Sequence, residues 1–192
     1  MAKNYEFRPD KPQVSWTSKL HLTQKQRKAL LKWALYALLL LVLSLLQDVV
    51  LSRARFFGAT TDLLPCAIIL ICILEGSQKG SIFALAGSAF YLFSGSAAGP
   101  YSMVLVTFLA ILVCIFRQGY LQEGFAAAML CTVVAVVTYE AAIFGIGYVL
   151  GLTIATRMIG FAVTALFSCL AAPILYPIIL SIASIGGETW KE

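Results

Sequence analysis

The segment KGSIFALAGSAFYLFSGSAAGPYSMVLVTFLAILVCIFR, residues 79–117, holds 37 consecutive positions between Lys79 and Arg117 without one charged side chain. A second such run, 30 residues long, separates Arg157 from Glu188. A helix needs only about 20 apolar residues to cross the hydrocarbon layer, so each run predicts at least one crossing. Uncharged stretches of this length cannot be hidden inside a soluble domain of 192 residues. The bilayer is therefore the main solvent of this chain.

Composition agrees. Hydrophobic residues make up 60% and charged residues 12%, against roughly a quarter charged in ordinary soluble domains. Too little polar chain remains for a separate soluble catalytic domain, so the sequence predicts one all-α membrane protein, a polytopic bundle of about six transmembrane helices. Its division is a basic cytoplasmic arm over 1–28, a transmembrane domain over 29–184 and a short cytoplasmic tail over 185–192.

The charge sits at one end. Residues 1–32 carry Lys3, Arg8, Lys11, Lys19, Lys25, Arg27, Lys28 and Lys32 against Glu6 and Asp10, a net of +6, and the other 160 residues are nearly neutral. The arm lacks the interleaved aromatics and folded platform of a nucleic-acid interface. Lys25, Arg27, Lys28 and Lys32 are instead expected to lie at the lipid surface, attracted to anionic head groups. The first apolar run, Ala29 to Leu51, is too long for a signal-peptide core and no small-x-small cleavage site follows it. It reads as an uncleaved first helix, with Trp33 and Tyr36 as interfacial aromatics.

Five more crossings are expected at about 62–75, 80–95, 101–116, 125–150 and 156–182. The second and third are short, and either span a thin membrane or form a re-entrant hairpin. With the basic arm inside, Lys79, Arg117 and Lys191 also fall inside, while Arg53, Arg55 and Arg157 fall outside. Both termini are thus expected in the cytoplasm under the positive-inside rule. Pro65 fits a helix start, whereas Pro173 and Pro177 fall inside the last segment and should kink it. Gly76, Gly80, Ala84 and Ser88 recur every fourth residue, a shallow stripe that admits close approach of a helix of this chain or of a partner.

Residues suited to catalysis are scarce. His21 is the single histidine and lies in the arm. Cys66, Cys72, Cys114, Cys131 and Cys169 show no CxxC spacing and read as small apolar core residues rather than metal ligands or disulfides. No metal or cofactor site is expected, nor enzyme activity. Two acids stand out. Glu140 falls well inside the fifth segment, where an ionisable group is costly. It is a candidate for an internal polar contact, with a Tyr or Thr hydroxyl or with Arg157, for a ligand or partner contact, or for a proton relay. Asp62 opens the second segment and is expected to cap it.

The run Asp62-Leu63-Leu64, then Leu74-Glu75-Gly76-Ser77-Gln78-Lys79-Gly80, Gly87, Phe93-Ser94-Gly95 and Gly99-Pro100, preceded by Leu46-Gln47, resembles the rod shape-determining protein MreD family. The likeness is most specific over about residues 40–100. Thr61 stands where that family usually has proline, and Tyr91 where it usually has aspartate ahead of Ser-Gly. The resemblance implies a fold similar to the substrate-binding subunits of energy-coupling-factor transporters. It implies a non-enzymatic protein of the bacterial cytoplasmic membrane that contacts membrane lipids and binds an MreC-type protein. Through that partner it would couple MreB filaments to RodA and a penicillin-binding transpeptidase, which build peptidoglycan. The competing expectation is a vitamin-binding subunit of such a transporter. Its usual Ala-x-x-x-Ala docking pattern is absent from the first helix, where Ala34 and Ala37 are one residue too close.

Overall fold

The computed structural model describes residues 24–51, 61–120 and 124–186. Six α-helices run in sequence: α1 (Gln24–Leu45), α2 (Leu63–Glu75), α3 (Ser77–Phe93), α4 (Pro100–Tyr120), α5 (Phe125–Val149) and α6 (Met158–Ala183). A π-helical turn, Leu46–Leu51, continues α1, and there is no strand among the described residues. The chain is an all-α, multi-pass membrane protein. Stretches on α1, α4, α5 and α6 are long and apolar enough to cross a bilayer. The predicted arm begins its helix at Gln24, earlier than expected, and residues 1–23 and 187–192 lie outside the described residues.

The main departure from six equivalent crossings is α2. Its sequence, LLPCAIILICILE, has no polar face to turn outward, and every residue from Leu63 to Leu74 is buried. A helix that is apolar all round belongs at the centre of a bundle. Here α1, α3, α4, α5 and α6 all pack on it. At about 20 Å, it is shorter than the hydrocarbon layer of about 30 Å. Pro65 lies in its first turn, where a missing N–H costs nothing.

Gly76 joins α2 to α3 with φ 82°, a backbone shape that favours glycine. It therefore belongs to the turn and not to the small-residue stripe. The remaining stripe faces inward. A Cβ on Gly80 would lie 2.6 Å from the Cys72 carbonyl oxygen, and one on Gly87 would lie 3.1 Å from Ile68 Cγ1. Ala84 and Ser88 are fully buried, and Ser88 Oγ lies 2.6 Å from Thr107 Oγ1 on α4. The stripe thus seats α3 against α2 and α4 of the same chain.

Helix α6 continues through Pro173 and Pro177. The lipid-facing surfaces carry Leu38, Leu41, Val104, Phe108, Val134 and Leu166, all exposed. On a soluble protein such faces would be aggregation sites. Against acyl chains they cost nothing.

Candidate functional site: two buried polar layers

Asp62 is the hub of the first layer. The residue ends the approach to α2, but its side chain makes no capping bond to its own helix. That role passes to Gln47 in the π-helical turn, whose Oε1 accepts the Leu63 N–H at 3.0 Å. The Gln47 amide in turn donates from Nε2 to Asp62 Oδ1 at 3.1 Å. The other carboxylate oxygen accepts the Tyr91 hydroxyl of α3. Tyr91 Oη lies 3.1 Å from Tyr139 Oη of α5, extending the chain of hydroxyls. On the remaining side, the Asp62 backbone N–H donates to Ser168 Oγ of α6 at 3.1 Å. One carboxylate thereby ties α1, α2 and α3 together, and its neighbours reach α5 and α6.

The second layer lies at the other end of α2. Glu75 Oε1 accepts from Lys32 Nζ and from the Tyr36 hydroxyl, each at 2.6 Å. Beside it, Arg117 Nη1 of α4 donates to the Ile73 carbonyl. Two expectations need correction here. Lys32 is not at the lipid surface: it is 8% exposed and paired with Glu75. Tyr36 is not an interfacial aromatic but fully buried, with its ring against Trp33 and Phe83. Helix periodicity puts Lys32 and Tyr36, four residues apart, on the face that meets α2. Arg27 and Lys28, on the preceding turn, are exposed, and the Lys25 side chain lies outside the described residues.

Breaking this ion pair from one side leaves a desolvated charge, at a cost of about 3 kcal/mol. Glu75→Leu should therefore lower the melting temperature of the solubilised protein sharply. Adding Lys32→Met to that variant should restore most of the loss. A double variant no more stable than the single one would show that the pairing contributes little.

Glu140 is 5% exposed, yet it forms no hydrogen bond or ion pair with the described residues. The expected pairing with Arg157 does not occur, because Arg157 is exposed at the end of the 3-10 turn Ala155–Arg157 ahead of α6. Neither does the expected hydroxyl contact. A buried carboxyl without partners is a cost rather than a staple. Glu140→Leu should then hold stability level or raise it by about 1 kcal/mol, read as the midpoint of a thermal shift. A clear loss would reveal a contact that Glu140 makes in the membrane.

No group of three or more metal-ligating side chains occurs among the described residues. All five cysteines are free, four of them buried and Cys169 half-buried. The hydroxyls of Tyr91 and Tyr139 and the carboxyl of Asp62 are engaged with one another, an arrangement that fixes helices. Gln47, Tyr91, Tyr139, Ser168 and Glu75 were not singled out as site residues by sequence.

These features define a class, a polytopic α-helical membrane protein whose central short helix is clamped by a polar layer at each end. No family model, curated protein or solved structure matches the chain.

Proposed function

We propose that the chain is a non-enzymatic membrane scaffold of the bacterial cell-elongation machinery, of the MreD kind. It would bind an MreC-type protein and couple MreB filaments to RodA and a penicillin-binding transpeptidase. One observation supports this above the rest. Gln47 and Asp62, which belong to the stretches that carry the resemblance and lie 15 residues apart, are hydrogen-bonded to each other, and Tyr91 of α3 joins them. Tyr91, the departure from the family's usual aspartate, donates its hydroxyl to Asp62. A scaffold needs a rigid bundle and free outer faces, and the exposed faces of α1, α4, α5 and α6 supply the latter.

In this reading the protein sits in the cytoplasmic membrane with both termini inside, placing Gln78 on the cytoplasmic side and Leu152 outside. Cysteines at these two positions should react with an impermeant maleimide from opposite sides, and labelling from the same side would overturn the topology. Depletion should round rod-shaped cells, and the tagged protein should co-purify with an MreC-type protein. Depleted cells that stay rod-shaped and acquire a vitamin requirement would favour a transporter subunit instead.

A further inference from the structure

Glu140 lies where the surface of α5 turns from the bundle toward lipid. Its side chain is buried, yet Val133 and Val137, seven and three residues before it and therefore its neighbours on the helix surface, are exposed. Across the seam between α5 and α6, Cys169 is half-buried and within electrostatic reach of the Glu140 carboxyl. Pro173, exposed one turn farther along α6, has no N–H, so the Cys169 carbonyl loses the donor that a regular helix would give it. Asp62, within reach of Glu140 from the bundle interior, adds a second carboxyl. The seam thus gathers oxygen acceptors, and no lysine or arginine among the described residues pairs with Glu140. Lys32 is paired with Glu75, Arg117 donates to the Ile73 carbonyl, and Arg157 is exposed ahead of α6.

The depth of Glu140 follows from the two connections on this side of the bundle. The Tyr91 and Tyr139 hydroxyls meet and so set a common level for α3 and α5, and Glu140 is one residue beyond Tyr139. Helix α3 ends two residues beyond Tyr91, at Phe93. The 94–99 connection that follows is irregular, and its Ser96 Oγ donates to the exposed carboxylate of Asp48 at 3.0 Å. The α5–α6 connection, farther out, carries exposed Arg157 and irregular backbone of its own. Neither connection can lie against acyl chains. The hydrocarbon on this side therefore ends at or before the nearer of the two, the 94–99 connection. At 1.5 Å of rise per residue, Glu140 comes within about 5 Å of the phospholipid head groups.

We propose that the α5–α6 seam is a binding site for one phospholipid with a primary-ammonium head group, of the phosphatidylethanolamine type, whose ammonium donates to the Glu140 carboxylate. An ammonium supplies what the seam lacks, a positive charge and several N–H donors on one atom. It also explains how a buried acid without a partner in its own chain is tolerated, since its partner arrives with the solvent. The acyl chains find exposed Val133 and Val137 on α5 and exposed Leu166 and Leu170 on α6 beside the carboxyl. The inference rests on the placement of Glu140 and does not depend on the proposed role in cell elongation.

The probes are dioleoyl phosphatidylethanolamine and dioleoyl phosphatidylcholine, offered in equal amounts to the full chain in mild detergent, with bound lipid counted by native mass spectrometry. The choline head group carries the same charge but no N–H. The native protein should retain the ethanolamine lipid over the choline lipid by about tenfold, the factor that one charge-assisted hydrogen bond supplies. Among variants that give a monodisperse chromatographic peak, Glu140→Leu should bring the two lipids to equal retention. Glu140→Gln, which keeps the shape of the side chain, should cut the preference several-fold. Asp48→Asn, which neutralises the carboxylate near the 94–99 connection, should leave it unchanged. Equal retention of the two lipids by the native protein would overturn the proposal and leave Glu140 to a partner protein. A preference that survives Glu140→Leu, or is lost in Asp48→Asn, would overturn it by placing the ammonium elsewhere. Displacement of the lipid by an equal concentration of glycerophosphoethanolamine would overturn it too, since the seam would then take free amines.

Discussion

Gly80→Leu should destroy the folded bundle. The Cβ of any residue at this position would lie 2.6 Å from the Cys72 carbonyl oxygen, 2.9 Å from its Sγ and 3.0 Å from its Cα. Two of those three atoms are backbone of α2, so no side-chain rotation relieves the clash. Helix α3 would have to move away from the central helix on which the other five pack. Overpacking of a core costs about 1–3 kcal/mol where neighbours can yield, and here they cannot, so Gly80→Ala alone should reach the upper end of that range. Leucine should exceed it, and the monodisperse peak in fluorescence-detected chromatography should be lost. Gly87 is the control. Its Cβ would meet only side-chain atoms, Ile68 Cγ1 at 3.1 Å and Cδ1 at 3.4 Å, and no backbone, so Gly87→Ala should cost less than about 1 kcal/mol. Equal stability of the Gly80→Ala protein and the native one would mean that α2 and α3 do not approach this closely.

Asp62→Leu should be strongly damaging, on a scale comparable with Glu75→Leu. It removes the acceptor of the Gln47 amide and of the Tyr91 hydroxyl, which keeps only its contact with the Tyr139 hydroxyl. Interhelical hydrogen bonds in membranes average about 0.6 kcal/mol and reach about 1.7, because the unfolded helices also find partners. Losing two bonds to one charged acceptor should therefore cost about 2–3 kcal/mol. Tyr91→Phe removes one of the two and should cost about half as much. Asp62→Asn retains an acceptor and should fall between native protein and Asp62→Leu. Melting temperatures in mild detergent would order the variants, and an Asp62→Leu protein as stable as the native one would show that the cluster does not hold the helices.

Much of the architecture was legible along the chain. The boundaries of α2, α4, α5 and α6 were anticipated within a few residues, because charge-free runs bounded by Lys79, Arg117 and Arg157 leave little choice in a membrane. The start of α2 was marked by Asp62 and Pro65. Glycine spacing located the close-packed face of α3, but not whether its neighbour lay in this chain or another. The site was less legible. Asp62 and Glu140 were both visible as costly acids, yet one became the hub of a network and the other formed no bond. Lys32 looked like its neighbours Arg27 and Lys28 until its position one turn before Tyr36 was set against Glu75.

The sequence by itself determined the solvent, the helices and the expense of each intramembrane polar group, because these depend on local composition and on a length of about 20 apolar residues per crossing. Only the tertiary structure decided which helix is central and which polar groups meet. Gln47 and Asp62 are 15 residues apart, Asp62 and Tyr91 29, and Asp62 and Ser168 106. Such contacts follow from how α2 is surrounded, and a bilayer that solvates every apolar face equally gives no local signal of which face turns inward.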